Sequence, residues 1–187
     1  MPEGISYQDS SFKKVISLSH PEVRQSFTLI ASVGGESIEA GAIFGKVSAD
    51  GTVRPLGVSY ITKAEAVAAD EFEVADASIF KVGDSVKIGG GSAVTLTAVD
   101  VANKKISIAT EDAQTATLNA AVEIQDGSAT AFGVLLSPVT VASATQPVVL
   151  LIHGMVYAEA ITNALRTTQL ATAKSELFNR IWFVESY

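Results

Sequence analysis

The sequence predicts a mainly β protein with one helix near its C-terminus, built as a discontinuous β base domain that carries an inserted small β-barrel or sandwich module. Three observations predict this class: short apolar runs between glycine-containing turns, one segment of helical periodicity, and a central block with its own charge. The 187 residues, 48% of them hydrophobic, suffice for one ordinary core or two small ones. We expect three parts: an N-terminal arm (1–39), the base domain (40–59 and 126–187) and the module (60–125).

The first part is polar, with scattered apolar positions and no sustained period. It passes through Gly34-Gly35, which favours loop over regular structure. We predict an extended arm with short strands at most. Such an arm is expected to become ordered by adding backbone hydrogen bonds to a sheet edge of a partner.

The base domain begins with a hairpin. In residues 40–57, "AGAIFGKVSADGTVRPLG", apolar side chains stand on both sides of a tight Asp50-Gly51 turn. After the module, two more apolar strands are predicted at residues 131–136 and 148–152. A connection rich in Ser, Ala and Thr joins them.

The chain ends with a helix and a strand. A helix is predicted over residues 167–179, because Leu170, Ala173 and Leu177 recur at three- and four-residue spacing. The final segment, "IWFVES", is predicted to be a strand.

The module has short alternating segments of its own. They predict strands at residues 72–74 and 85–88, a break at Gly89-Gly90-Gly91, and two strands joined at Ala102-Asn103. So many short strands in one segment indicate a small β-barrel or sandwich.

The charge is concentrated in the module. The chain has a net charge of −7, and residues 60–127 carry 5 basic and 11 acidic side chains, net −6. Nucleic acid is not an expected partner, because phosphate binding needs clustered Lys and Arg. A membrane is not expected either, since the apolar runs are far shorter than the ~20 residues of a spanning helix. The N-terminus lacks the features of a signal peptide, so we expect synthesis in the cytosol.

One segment raises the question of catalysis. Residues 147–154, "PVVLLIHG", are similar to the strand and His-Gly turn that opens the oxyanion hole of an α/β-hydrolase. Such an enzyme also needs a Gly-x-Ser-x-Gly pentapeptide and a later His, and the chain has neither. Cysteine is absent, and His20 and His153 are far apart in the sequence. We therefore expect no enzyme, no metal and no cofactor.

When residues 60–125 are set aside, the two halves of the base become adjacent and their sequence motifs can be compared as one series. They resemble the lambda-type head decoration proteins of tailed phages. In that family a Gly-x-(Val/Ile)-(Leu/Phe)-Gly-Lys-Val hairpin precedes an Ala-x-Gly-(Val/Ile)-Leu strand and a Val-rich strand ending in (His/Arg)-Gly-x-Val. Here these elements are residues 41–47, 131–135 and 148–156. The module is a departure, since compact family members have a short loop in its place.

The resemblance implies a protein that binds the outer surface of the expanded head at quasi-threefold sites and stabilises it. It implies the major capsid protein as a partner, a homotrimer of the chain itself, and a place in the virion after synthesis in the host cytoplasm. The expected capsid contacts are Ile5, Tyr7, Phe12, Val15, Ile16, Phe27 and Leu29. The expected subunit contacts are His153, Met155, Tyr157, Trp182 and Phe183.

Two other functions stay open. The same kind of β module fits a subunit of a phage tail or baseplate. It also fits an adhesion protein, in which residues 60–127 bind a host surface glycan and the rest is an anchor. Binding to empty and to DNA-filled capsids distinguishes a decoration protein from the first, and a glycan array tests the second.

Overall fold

The computed structural model describes residues 22–30, 37–161 and 167–185. Within these ranges it is mainly β with one α-helix near the C-terminus, which confirms the predicted fold class. The helix, α1, is Thr167–Leu177. The strands are β1 (Val23–Leu29), β2 (Ser37–Ile38), β3 (Ile43–Lys46), β4 (Val53–Pro55), β5 (Val58–Tyr60), β6 (Glu65–Ala69), β7 (Glu71–Glu73), β8 (Ser85–Ile88), β9 (Ala93–Asp100), β10 (Lys105–Ile108), β11 (Gln114–Ala116), β12 (Ala121–Ile124), β13 (Ala131–Leu135), β14 (Val139–Thr140), β15 (Gln146–Tyr157) and β16 (Ile181–Val184).

The base is a closed five-stranded barrel. Its strands pair in the order β1-β4-β3-β13-β15, and β1 also pairs antiparallel with β15, which closes the circle. The predicted hairpin is β3 and β4, which are antiparallel. All five strands contribute buried apolar side chains to one cluster. These side chains are Leu29, Phe44, Val53, Leu135, Val148 and Leu150.

Strand β1 corrects the predicted arm. Residues 23–29 pair along β15, and β2 pairs with β14, so these parts of residues 1–39 belong to the base. In β1 only Phe27 and Leu29 pack with the apolar cluster. Two positions are too few to produce a recognisable period, and the apolar partner strand lies more than a hundred residues further along the chain.

The second half of β15 extends beyond its pairing with β1 and has a different partner strand. From Gly154 onward it pairs parallel with β16, and α1 packs against β13 and β16 with Ala173 and Leu177 buried. Gly154 has a φ of 142°, and a Cβ there would lie 3.3 Å from side-chain atoms of Glu22 and Leu151. The position where β15 changes partners therefore favours glycine. The His-Gly pair lies inside a continuous strand and not at a strand end.

The module is a second β structure with a core of its own. Its strands pair in the order β5-β12-β8-β9-β10-β7, and a bridge between Ile61 and Val74 joins the two ends of this order into a small barrel. Strands β6 and β11 form a separate two-stranded ribbon. The module begins with β5, so its sheet includes residues 58 and 59, which were predicted to belong to the base. Its core side chains include Phe72, Val86, Ile88, Leu96, Ile106, Val122 and Ile124.

Candidate functional site: contact surfaces of the base and the junction with the module

Four of the five predicted subunit contacts lie on the β15–β16 pair as one group, here called the β15 aromatic face: His153, Met155, Tyr157 and Trp182. Met155 is opposite Trp182 across the two strands, and Tyr157 follows Met155 at the next position on the same side. The rings of His153 and Trp182 meet edge to face, with centroids 5.3 Å apart and planes at 89°. All four side chains are half-buried.

Phe183 does not belong to this face. It is opposite Val156, which is fully buried, and it packs on the cluster that α1 covers. The Nζ atom of Lys174 in α1 lies 5.2 Å from the centroid of its ring. Phe183 therefore helps to hold the helix on the sheet.

Two of the predicted capsid contacts fall within the described residues. Leu29 is 1% exposed inside the barrel, so its prediction as a capsid contact is wrong: the side chain fills the core that β1 closes. Phe27 is half-buried, and its ring packs edge to face on that of Phe132, with centroids 5.2 Å apart. The others, Ile5, Tyr7, Phe12, Val15 and Ile16, lie outside the described residues.

Phe132 is the centre of a second surface, here called the Phe132 patch: Phe27, Lys46, Phe132 and Arg180. The Nζ atom of Lys46 lies 5.2 Å, and the Cζ atom of Arg180 5.4 Å, from the centroid of the Phe132 ring. These residues come from β1, β3, β13 and the turn before β16, so no sequence motif connects them. Sequence reasoning identified Phe27 and missed the other three.

A buried ion pair joins the base to the module. The guanidinium of Arg54 in β4 donates to both carboxylate oxygens of Asp84, at 3.1 and 2.7 Å, and to Asp126 at 3.1 Å. It also donates to the main-chain carbonyl oxygen of Ile79. Arg54 is 2% and Asp84 6% exposed. A planar guanidinium bound at two oxygens fixes direction as well as distance, so this contact orients the module on the base.

Asp126 is the second carboxylate of this junction, and its pKa lies below the usual value. Burial by itself raises the pKa, but the hydrogen bond from the main-chain N–H of Ser128, at 2.8 Å, and the charge of Arg54 lower it by more. Sequence reasoning missed the junction, because Arg54 is 30 residues from Asp84 and 72 from Asp126. An arginine between Val53 and Pro55 in a short apolar strand is the local signal that could have drawn attention to it.

Across residues 22–30, 37–161 and 167–185, no group of three or more His, Asp or Glu side chains is arranged to hold a metal ion. No helix in those ranges is long and apolar enough to cross a membrane.

The fold is that of a β protein with two barrels. In the described part of the chain, its candidate functional features are the two contact surfaces and the junction. Comparisons with protein-family models, with curated proteins and with solved structures give no match. The resemblance to head decoration proteins therefore depends on the sequence pattern alone.

Proposed function

We propose that this chain is a head decoration protein of a tailed phage. In this proposal it binds the outer surface of the expanded capsid at quasi-threefold sites and stabilises the shell without catalysis. Its partners are the major capsid protein and further copies of the chain in a homotrimer, with no nucleic acid and no membrane. The observation that carries the proposal is the sequence pattern of residues 41–47, 131–135 and 148–156. The division between a nearly neutral base with half-buried aromatic surfaces and an acidic module with its own core supports it.

The distribution of charge supports an orientation in which the base faces the shell and the module faces outward. Residues 60–127 have a net charge of −6, whereas the rest of the chain has 8 basic and 9 acidic residues, net −1. A surface of low net charge with aromatic side chains suits a protein interface. An acidic surface is costly to bury and is repelled by packaged DNA. The base is therefore proposed to lie on the shell and the module to point outward.

The aromatic surfaces supply contacts of the required kind. Aromatic and arginine side chains contribute much of the binding energy at protein interfaces. We assign the β15 aromatic face to contacts between copies and the Phe132 patch, which contains the predicted contact Phe27, to the capsid. Each contact can be weak, because many copies on one shell act together. A closed trimer also leaves no interface that propagates.

Labelled virions test the proposal. Virions of the phage that encodes the chain are treated with gold-labelled antibodies to the purified protein and imaged by electron microscopy. Label over the whole head is expected, and a map of decorated empty heads should show trimers at threefold positions. Label on the tail would instead identify a tail or baseplate subunit. Binding of the full chain to a glycan array, with no label over the head, would identify an adhesion protein.

A further inference from the structure

The two cations of the Phe132 patch, Lys46 and Arg180, differ in their pairing from the two arginines of β1 and β4. Arg24 pairs with Glu22, and Arg54 pairs with two aspartates. Among the described residues, no carboxylate lies within ion-pair distance of Lys46 or Arg180. Lys46 is exposed and Arg180 is half-buried. The patch thus presents two positive charges that form no ion pair with any described residue.

The patch is held in place before any partner binds. Each cation is attracted to the face of the Phe132 ring. The guanidinium of Arg180 also donates to the carbonyl oxygens of Phe132, at 3.0 Å, and of Ala131, at 3.4 Å. The ring of Phe27 packs edge to face on the Phe132 ring. Side chains that are already ordered lose less conformational freedom on binding. The arrangement therefore combines fixed positive charges with an apolar centre.

We infer that the Phe132 patch binds an acidic, partly apolar segment of a partner protein. Carboxylates of that segment pair with Lys46 and Arg180, and an apolar side chain covers the exposed parts of the two phenylalanine rings. The inference depends on the proposed function, in which the partner is the major capsid protein. Charge complementarity favours this occupant, since guanidinium and ammonium groups pair well with carboxylates. Nucleic acid fits less well, because two cations are few for a phosphate backbone and the rest of the chain is acidic.

Charge-reversed variants of the full chain test the inference. Wild type, Lys46→Glu and the double variant Lys46→Glu/Arg180→Glu are titrated onto expanded empty heads that lack the protein. Lys174→Glu is the matched control, because Lys174 stands over Phe183 at 5.2 Å in the same kind of cation–aromatic contact. We expect Lys46→Glu to weaken binding about tenfold, and the double variant more, because like charges then face each other. The control should bind like wild type, and raising the salt from about 0.1 to 0.5 M should weaken wild-type binding.

Each outcome decides a separate point. If wild type does not bind the heads, the proposed function is wrong and this inference fails with it. If wild type binds and Lys46→Glu binds equally well at both salt concentrations, only the inference is wrong. If duplex DNA, at the same concentration as the heads, displaces the wild-type protein from them, the patch binds phosphate groups and the inference is wrong. Because the Lys46 side chain is exposed, its variant remains informative even if the Arg180 substitution impairs folding.

Discussion

Replacing Arg54 with methionine removes the guanidinium that joins the base to the module. The carboxylate of Asp84 stays buried, its side chain only 5% exposed, and loses both bonds from Arg54. It keeps the main-chain N–H of Lys81, at 2.9 Å, as a donor. Removing one member of a buried ion pair destabilises a protein by about 3–5 kcal/mol. We expect Arg54→Met to lower the free energy of unfolding by that amount.

Two further variants separate charge from packing. Lys105→Met is the matched control, because Lys105 pairs with Glu71 at 2.6 Å on the surface, where the two side chains are 34% and 54% exposed. Such a solvent-exposed pair contributes little to stability, because water screens the two charges. The double variant Arg54→Met/Asp84→Leu removes both charges of the buried pair. It should recover most of the loss, because apolar replacements of buried pairs are often close to neutral.

The assay is urea unfolding, followed by far-UV circular dichroism and by the fluorescence of Trp182, the single tryptophan. Circular dichroism reports on both barrels, whereas Trp182 reports on the base. A loss for Arg54→Met below about 1 kcal/mol, no larger than that of Lys105→Met, would refute the buried junction. A double variant as unstable as Arg54→Met would show that packing at Arg54, and not the unpaired charge, caused the loss.

Three more predictions concern the base. Leu29→Ala should destabilise the chain by about 2–5 kcal/mol in urea unfolding, because it empties part of the barrel core; an effect as small as that of the exposed neighbour Thr28→Ala would mean that β1 does not close the barrel. The free energy of unfolding should fall below about pH 4. The pKa of Asp126 is lower in the folded chain than its unfolded value of 3.8. The stabilisation by the Asp126 carboxylate is therefore lost as the pH falls through the folded pKa. Asp126→Asn should flatten that part of the profile of urea midpoint against pH, and an unchanged profile would contradict the assignment. Replacing residues 58–125 with a short Gly-Ser linker should leave a base that unfolds cooperatively by Trp182 fluorescence, since the core of the barrel lies outside the module; a base that does not fold would show one continuous core.

Several elements could be predicted because their signals are local. Strand β8 was predicted with the bounds that the structure has, since buried Val86 and Ile88 alternate with exposed residues. The turn between β9 and β10 was predicted from Ala102-Asn103, and there the side chain of Asn103 donates to Asp100 at 2.7 Å. The ribbon of β6 and β11 was missed. Residues 66–68 of β6 are apolar and exposed in succession, so they show no alternation.

The candidate site was less accessible from the sequence. The β15 aromatic face was partly predicted, because His153, Met155 and Tyr157 alternate on one strand and Trp182 lies in an obvious final strand. The Phe132 patch was not predicted, because its cations reach the ring from separate strands and turns. A cation–aromatic contact between distant residues produces no recognisable residue spacing in the sequence.

The sequence by itself determined the mainly β class, the position of the helix, the hairpin of β3 and β4, and the separate acidic module. Each depends on turn residues, on periodicity within a few residues, or on composition. Only the tertiary structure decided that β1 closes the barrel, that Arg54 joins the base to the module, and that two cations contact the ring of Phe132. Those contacts connect residues far apart in the chain, and their free energy comes from burial and charge pairing that exist only after the chain has folded.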